Sequence, residues 1–258
     1  MIRFERLGII EDFLKTNGSV TVNELSKTLK VSKETIRKDL DFLASKRRIG
    51  RVHGGAYSFE YDSSVPYHAR EKMLDKQKNA IARFTANLIE DGKILFMDSS
   101  TTSTSLLRRL ISDNKKLTII TNSLEAANLA LDAKFITVFL MGGELDKDNR
   151  SLNIMDYSTI DKYNADYAII SPSGVDIQTG ITDQDPVESQ LRKKFLERAR
   201  KTILVIDHTK LNTVSTFAVG NLEDIDGIVI DSIPNIEEWN TVKSEYSFFI
   251  EMVDGGSK

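Results

Sequence analysis

Between residues 94 and 230, short apolar segments rich in β-branched residues alternate with helical segments. The apolar segments occupy residues 94–97, 117–120, 136–140, 167–170, 203–206 and 228–230. Most of them lack a strict alternation of apolar and polar residues, which is typical of strands buried on both faces of a parallel sheet. Helical spacing of apolar residues occurs between them, at residues 103–111, 124–131 and 187–199. This succession predicts a layered α/β domain with a mainly parallel sheet.

The basic residues of the chain are concentrated near its amino-terminus. Residues 1–56 contain 12 Lys and Arg against 7 Asp and Glu, whereas the rest of the chain contains 23 against 31. The net charges of the two parts are therefore +5 and −8. A basic segment joined to an acidic body is typical of a module that binds a polyanion, although chance clustering of surface charge is the alternative.

The composition excludes several classes of protein. The 258 residues include no cysteine, which excludes a disulfide framework, a thiolate zinc site and a cysteine nucleophile. No apolar run approaches the roughly 18 residues that a membrane-spanning helix needs. The amino-terminal residues are charged where a signal peptide would be apolar. We therefore expect a cytoplasmic protein without a membrane partner.

Three helices in close succession are predicted in the basic segment. The first covers about residues 3–16, where apolar residues recur at helical spacing. The second begins after Thr21, and Glu24 three residues later completes a capping box. The third begins after Ser32 and has apolar residues at i, i+4 and i+7, starting at Ile36. Three short helices of this kind are compatible with a helix-turn-helix.

The opposite face of the third helix carries hydrogen-bond donors that suit DNA. Arg and Lys reach phosphates or the O6 and N7 atoms of guanine, and Ser and Thr hydroxyls donate to phosphates. A recognition helix presents this kind of surface to the major groove. A solvated helix face is the alternative for a basic helix taken alone. The candidate DNA-binding residues of this helix are Ser32, Lys33, Thr35, Arg37 and Lys38.

A basic hairpin is predicted directly after the third helix. Residues 46–56 have the sequence KRRIGRVHGGA, which predicts a short strand, a Gly-Gly turn and the start of a second strand. Such a hairpin is typical of a wing that lies along the DNA backbone, with Arg48, Arg51 and His53 as its phosphate contacts. Helix and hairpin together predict a winged helix-turn-helix domain.

Polar residues follow the predicted strands of the larger domain. Ligands of open α/β sheets bind at the carboxyl ends of the strands, and a hydroxyl-rich loop before a helix favours an anion. Taken singly, these residues also fit ordinary caps, turns and solvated side chains. Together they predict a pocket for a phosphorylated sugar or polyol. The candidate effector-binding residues are Asp98, Ser99, Ser100, Thr101, Thr102, Thr121, Asn122, Ser123, Gly142, Gly143, Asp176, Glu188 and Lys210.

The segment from residue 22 to residue 56 resembles the DeoR family of bacterial transcriptional regulators. The family signature VS-x-x-TIR-x-DL matches residues 31–40, and its wing signature R-x-HGGA matches residues 51–56. Further family elements, namely D-x-GTT, TNS, GGE, G-[IV]-D with G-[IL]-T, E and D-x-[ST]-K, match residues 98–102, 121–123, 142–144, 174–182, 188 and 207–210. The resemblance therefore covers nearly the whole chain.

The resemblance implies a carboxy-terminal effector domain similar to ribose-5-phosphate isomerase. It also implies repression of a carbohydrate-utilisation operon under the control of a phosphorylated effector. The chain departs from the family at two places. Ser100 stands where the family usually has glycine, and Ser171 with Pro172 replaces a Gly-Ala pair.

We predict a sequence-specific DNA-binding regulator with three parts: a winged helix-turn-helix at residues 1–57, a linker at 58–75 and an α/β effector-sensing domain at 76–258. Its expected partners are double-stranded operator DNA and the effector. A homodimer or homotetramer is expected because repeated half-sites match repeated recognition helices. We expect no catalytic residue, metal or cofactor. The alternatives are a sugar-phosphate isomerase with an accessory DNA-binding domain, and a winged helix that contacts RNA or protein.

Overall fold

The computed structural model describes residues 2–17, 19–46, 49–52, 55–57, 67–233 and 235–254. The chain divides into two compact units, Met1–Leu74 and Asp75–Lys258. Helix Tyr67–Lys72 lies within the segment that we expected to be a linker, and it belongs to the first unit. Within the described ranges, none of the helices combines the length and the apolar character needed to cross a membrane.

The first unit contains short helices and a small antiparallel sheet. Its described helices are α1 (Arg3–Asn17), α2 (Val22–Leu29), α3 (Lys33–Ser45) and α4 (Tyr67–Lys72), and its described strands are β1 (Ser19–Thr21), β2 (Gly50–Val52) and β3 (Gly55–Tyr57). The strand order is β1-β3-β2, and both pairings are antiparallel. Three helices followed by a paired hairpin form a winged helix-turn-helix, as the sequence predicted.

Apolar residues of α1, α2 and α3 form one core in the first unit. Ile10, Leu25 and Leu40 are completely buried in it. The predicted capping box of α2 is confirmed, because Thr21 Oγ1 accepts from the Glu24 amide at 3.1 Å and Glu24 Oε2 accepts from the Thr21 amide at 2.8 Å. These bonds satisfy two backbone donors that the helix itself cannot satisfy.

The second unit is built around a large sheet. Its described helices are α5 (Asp75–Leu88), α6 (Thr101–Ser112), α7 (Leu124–Ala130), α8 (Pro186–Arg198) and α9 (Ile236–Tyr246). Its described strands are β4 (Ile94–Met97), β5 (Leu117–Thr121), β6 (Ile136–Leu140), β7 (Glu144–Asp146), β8 (Ser151–Asn153), β9 (Ala165–Ile170), β10 (Gly174–Asp176), β11 (Gly180–Asp183), β12 (Ala199–Ile206), β13 (Phe217–Gly220), β14 (Gly227–Ile230) and β15 (Phe249–Met252). Short 3-10 turns lie at Tyr157–Lys162, His208–Lys210 and Leu222–Asp224.

Seven strands form the main sheet in the order β15-β14-β12-β9-β4-β5-β6, and all six pairings are parallel. Strand β4 is the first strand of this sheet along the chain, and it lies in the interior of the sheet. The chain continues through β5 to β6 at one edge and then builds the other side from β9 to β15. The strand order therefore reverses between β4 and β9. Ligands of open α/β sheets bind beside the carboxyl ends of the strands at such a point.

The main sheet is buried on both faces. Successive residues of β4 alternate between two cores: Leu95 and Met97 join the core that contains residues of α5 and α6, whereas Phe96 joins the core that contains residues of α8 and α9. Phe96 stacks on Phe195 of α8 with ring centroids 4.6 Å apart. Because both faces are covered, the strands need apolar residues at consecutive positions. The predicted α/β fold with a mainly parallel sheet is confirmed.

Two small sheets accompany the main one. Strands β7 and β8 pair as an antiparallel hairpin, and β10, β11 and β13 form an antiparallel sheet in that order. Neither of these sheets was predicted from the sequence, and β15 and α9 were not predicted either. Most of these strands have only three or four residues, which is too short for a periodic pattern to identify them.

Candidate DNA-binding and effector sites

The exposed face of α3 carries the candidate DNA-binding side chains of the helix. Ser32 caps the helix as predicted, because its Oγ accepts from the Thr35 amide at 3.1 Å. Lys33, Arg37 and Lys38 are exposed. The side chain of Thr35 is half-buried, and its hydroxyl lies 2.9 Å from Ser32 Oγ. Three cations are therefore available at the surface of one helix.

An ion pair ties the buried face of α3 to α1. Asp39 is buried and accepts from Arg6 Nε, and Arg3 Nε lies 3.2 Å from its other oxygen. The two arginines lie on successive turns of α1, so a single carboxylate fixes one helix against the other. Asp39 lies within the family signature, but this role could not be predicted from the sequence because its partners are more than 30 residues away.

The hairpin after α3 is present as an antiparallel pair of β2 and β3, with Arg51 opposite Ala56. Only the backbone of Arg51 belongs to the described part of the chain. Arg48 and His53, the other two candidate phosphate contacts, lie outside the described residues. The wing contacts therefore remain predictions.

A run of buried hydroxyl groups follows β4, beginning in the loop before α6 and continuing into that helix. Each residue from 99 to 105 is Ser or Thr, and each is more than nine-tenths buried. Ser100 caps α6, since its Oγ accepts from the Ser103 amide at 3.1 Å. Asp98 Oδ1 accepts from the Ser100 amide at 3.2 Å and from Ser103 Oγ at 2.6 Å. The loop is thus held in place by the carboxylate that begins it.

The first turn of α6 offers donors that the helix does not use. The first amides of a helix have no partner within it, and the dipole makes this end positive. Thr101 and Thr102 occupy the first two positions of α6. Their hydroxyl groups make no hydrogen bond with any residue in the described ranges. This end of α6 is suited to an anion.

Glu188 of α8 joins the loop after β4 to the loop after β5. Its Oε1 accepts from Ser99 Oγ at 2.9 Å and from Asn122 Nδ2 at 2.8 Å. Glu188 is only 5% exposed and Asn122 is fully buried. Two buried atoms of this group, Glu188 Oε2 and Asn122 Oδ1, have no hydrogen-bond partner among the described residues. The folded chain therefore buries two hydrogen-bond acceptors on adjacent side chains.

Arg192, one turn after Glu188 on α8, lies at the centre of a buried ion cluster. Its Nε donates to Asp98 Oδ2 at 2.8 Å, an Nη atom donates to Asp183 Oδ2, and the other Nη lies 3.5 Å from Glu188 Oε2. Asp98 Oδ2 also accepts from the Ser171 amide at 2.7 Å. One guanidinium thus connects α8 with β11 and the end of β4.

Arg192 was not among the residues predicted to bind the effector. Its one local signal is the i, i+4 spacing from Glu188 within a helix that begins at Pro186. That spacing is common on solvated helix faces, so only the fold reveals that the pair is buried.

The ion cluster contains two carboxyl groups, Asp98 and Glu188, whose pKa values shift in opposite directions. Burial alone would raise the pKa of Asp98, but the charge of Arg192 and three hydrogen bonds lower it overall. Burial raises the pKa of Glu188, and the attraction of Arg192 only partly offsets this. The pKa therefore falls for Asp98 and rises for Glu188, although both lie beside the same guanidinium.

The loop after β5 is organised by its own hydroxyl groups. Thr121 Oγ1 accepts from the Ser123 amide at 3.0 Å, and Ser123 Oγ accepts from the Ala126 amide at 3.1 Å and caps α7. Both side chains are buried. Of this predicted trio, Asn122 is the residue whose side chain bonds directly to Glu188.

The remaining candidates lie in other structural settings. Gly142 and Gly143 are exposed, and a Cβ on Gly143 would lie 2.0 Å from the Asn153 carbonyl oxygen. Glycine at 143 is thus needed for the approach of strand β8. Asp176 Oδ1 accepts from two backbone amides of the β10–β11 turn, at 3.0 and 2.9 Å. Lys210 ends the turn after β12, and burial lowers its pKa to about 8.

Two family models match the chain. The DeoR-like helix-turn-helix domain matches residues 6–61, and the DeoR C terminal sensor domain matches residues 74–232. The sensor-domain match includes the ion cluster around Arg192 and both loops that contact Glu188.

Several curated proteins are similar over most of their length. The HTH-type transcriptional repressor GlcR of Bacillus subtilis is 34% identical, with 91% of each chain covered. The HTH-type transcriptional regulator IolR of the same organism is 33% identical, covering 84% of this chain and 87% of the relative. The glycerol-3-phosphate regulon repressor of Escherichia coli is 31% identical, covering 89% and 90%.

Among solved structures, ribose 5-phosphate isomerase A of Methanocaldococcus jannaschii is 19% identical, with a TM-score of 0.39 over 53% of this chain and 54% of that chain. Nothing about activity follows from a likeness this distant. The matches of both family models and of full-length regulators are decisive. The chain belongs to the DeoR family of transcriptional regulators.

Proposed function

We propose that this regulator is a repressor that binds operator DNA through α3 and the wing. The exposed cations of α3 support this proposal. Arg37 is 54% exposed, and its ion pair with Glu34 at 3.4 Å is a surface pair that costs little to exchange for a phosphate or a base. Lys33 and Lys38 flank it on the same helix. The Arg6–Asp39 pair holds α3 at a fixed angle to α1.

DNA binding is tested by measuring the affinity of the protein for a fluorescent DNA duplex from the promoter region of its own gene. Arg37→Ala should weaken specific binding by about 5- to 150-fold, because a bidentate contact to guanine is worth about 1–3 kcal/mol. Lys193→Ala, an exposed cation on α8, is the matched control and should bind normally. Affinity should fall steeply with salt, as phosphate contacts require. Unchanged affinity of Arg37→Ala for the duplex would reject α3 as the recognition helix. A preference of the protein for RNA over DNA would favour the alternative of a winged helix that contacts RNA.

The effector that we propose is a phosphorylated sugar or polyol. Two buried acceptors that have no hydrogen-bond partner among the described residues carry this proposal: Asn122 Oδ1, and Glu188 Oε2, which also lies 3.5 Å from an Nη of Arg192. Buried polar atoms are almost always paired, and each unpaired one needs an explanation. Two acceptors on adjacent side chains are complementary to hydroxyl groups, which are donors. A polyol bound against Asn122 and Glu188 would satisfy both.

The anionic end of the effector would lie at the first turn of α6. Thr101 and Thr102 offer backbone amides and hydroxyl groups there, and Ser99 connects this loop directly to Glu188. Asp98 has a different role, because its four hydrogen bonds use both of its oxygens. We infer that Asp98 and Arg192 orient the loop and do not themselves contact the effector.

The names of the relatives agree with this class of effector. One relative is a regulon repressor for glycerol 3-phosphate, which is a phosphorylated polyol. Typical allosteric coupling of about 1–3 kcal/mol would change operator affinity by about 5- to 150-fold.

We propose homodimers or homotetramers in the cytoplasm, since paired half-sites need paired recognition helices. Light scattering at operator-binding concentrations tests the assembly, and a monomer there would contradict it.

The effector is tested by adding glycerol 3-phosphate and hexose 6-phosphates to the protein–DNA complex. At least one compound should change operator affinity, and Glu188→Gln should weaken that response at least tenfold while leaving DNA binding intact. Glu197→Gln, an exposed carboxylate on the same helix, is the matched control. The same compounds should be recovered unchanged, because we propose no enzymatic activity. Turnover would favour the isomerase alternative.

A further inference from the structure

The unpaired buried atoms of the second unit are gathered largely in one place. Among the described residues, four buried side-chain atoms lack a hydrogen-bond partner: Asn122 Oδ1, Glu188 Oε2, Ser151 Oγ and Ser215 Oγ. The first two belong to side chains that are bonded to each other. Ser151 belongs to β8, which pairs with the loop that contains Asn122.

Strand β8 runs antiparallel to the loop after β5. The Leu152 amide donates to the Asn122 carbonyl oxygen at 2.9 Å, and the Leu124 amide donates to the Arg150 carbonyl oxygen at 3.0 Å. Asn122 Nδ2 also donates to the Leu152 carbonyl oxygen at 3.3 Å. Three hydrogen bonds therefore attach the β7–β8 hairpin to the loop after β5, and two of them involve Asn122. The same pairing places Ser151 opposite Ser123.

Ser151 is nevertheless not bonded through its side chain. The bridge between Ser123 and Ser151 is a non-hydrogen-bonded pair, so both side chains lie on the same face at close range. Ser123 Oγ already accepts from the Ala126 amide. Ser151 Oγ is buried, with the residue 1% exposed, and has no partner among the residues described. A hydroxyl group in this state destabilises the fold.

We propose that Ser151 is an effector-binding residue, supplied by the β7–β8 hairpin, that hydrogen-bonds a hydroxyl or carbonyl oxygen of the bound polyol. This inference rests on the proposed function. Asn122 Oδ1 can only accept hydrogen bonds, and Glu188 presents a carboxyl oxygen beside it, whereas the serine hydroxyl can also donate. The three together would recognise an oxygen-rich carbon chain from two sides. The hairpin thereby becomes part of the specificity of the site.

Thermal unfolding without ligand separates this role from a structural one. Ser151→Ala removes an unpaired hydroxyl group, so the Tm should stay the same or rise. Ser189→Ala is the matched control, because Ser189 is equally buried but its Oγ donates to the Pro186 carbonyl oxygen at 3.0 Å. The Tm of the control should fall. A fall in the Tm of Ser151→Ala would overturn the proposal, since it would reveal a structural partner such as a bound water.

Calorimetry with glycerol 3-phosphate, glucose 6-phosphate and inorganic phosphate tests the binding role. In Ser151→Ala, loss of one hydrogen bond should lower the affinity for the polyol phosphates by about 3- to 10-fold. The affinity for inorganic phosphate should stay unchanged. Equal polyol affinity in wild type and variant would overturn the role of Ser151 alone. Absence of polyol-phosphate binding to the wild type would instead overturn the proposed effector class, and this inference with it.

Discussion

Replacing Arg192 with methionine should destabilise the second unit strongly. Methionine fills much of the space of the arginine stem but leaves the carboxylates of Asp98 and Asp183 buried without their cation. Removing one partner of a buried ion pair costs about 3–5 kcal/mol. For a unit of 150–250 residues, each kcal/mol lowers the Tm by about 2–4 °C, so we expect a fall of about 6–20 °C.

The pH dependence of this variant gives a second and more specific signature. In the wild type, the pKa of Asp98 is lowered by Arg192 and by hydrogen bonds, so its contribution to stability is present above the ordinary pKa and is lost as the pH falls. In Arg192→Met, burial dominates and raises that pKa in the folded state. In the variant, the contribution of Asp98 to stability is therefore present at low pH and is lost as the pH rises. The Tm deficit should therefore be smaller at pH 5 than at pH 8.

Differential scanning calorimetry of wild type, Arg192→Met and Lys193→Met at both pH values tests this reasoning. Lys193 is the matched control, since it is exposed on the same helix and its replacement should change stability by no more than about 0.5 kcal/mol. A Tm within 2 °C of wild type for Arg192→Met, with roughly equal deficits at the two pH values, would refute the account of the ion cluster.

Three further substitutions test the local structure. Asp39→Ala should lower the free energy of unfolding by about 3–5 kcal/mol and weaken DNA binding, because it leaves Arg6 buried without its partner. A midpoint of chemical denaturation equal to that of the wild type would argue against a structural ion pair. Thr21→Ala should cost about 0.5–2 kcal/mol through loss of the cap of α2, as measured by urea unfolding. Gly143→Ala should weaken the packing of β8 and speed amide exchange there, since its Cβ would meet the Asn153 carbonyl oxygen; unchanged exchange would show that the hairpin moves aside.

Periodic patterns allowed much of the fold to be predicted. All six predicted apolar segments lie in strands, and the third helix begins after its predicted cap, Ser32. These features depend on local chemistry: a capping side chain bonds to an amide two or three residues away, and a strand buried on both faces needs consecutive apolar residues. The short strands β7, β8, β10 and β13 carry no such pattern and were missed.

The candidate effector residues divide in the same way. Sequence identified Asn122 and Glu188 as polar residues near strand ends, but their hydrogen bond joins residues 66 positions apart. Asp98 was correctly placed after a strand, yet only the fold shows that its oxygens are already used.

Local sequence alone determined the helix caps, the charge of α3 and the alternation of strand and helix, because each of these arises from neighbours a few residues apart. The tertiary structure decided the strand order, the ion cluster of Arg192 and the position of β8 over Asn122. Arg192 contacts carboxylates 4, 9 and 94 residues away. Only the parallel sheet brings those groups together, and only their shared burial makes their charges matter.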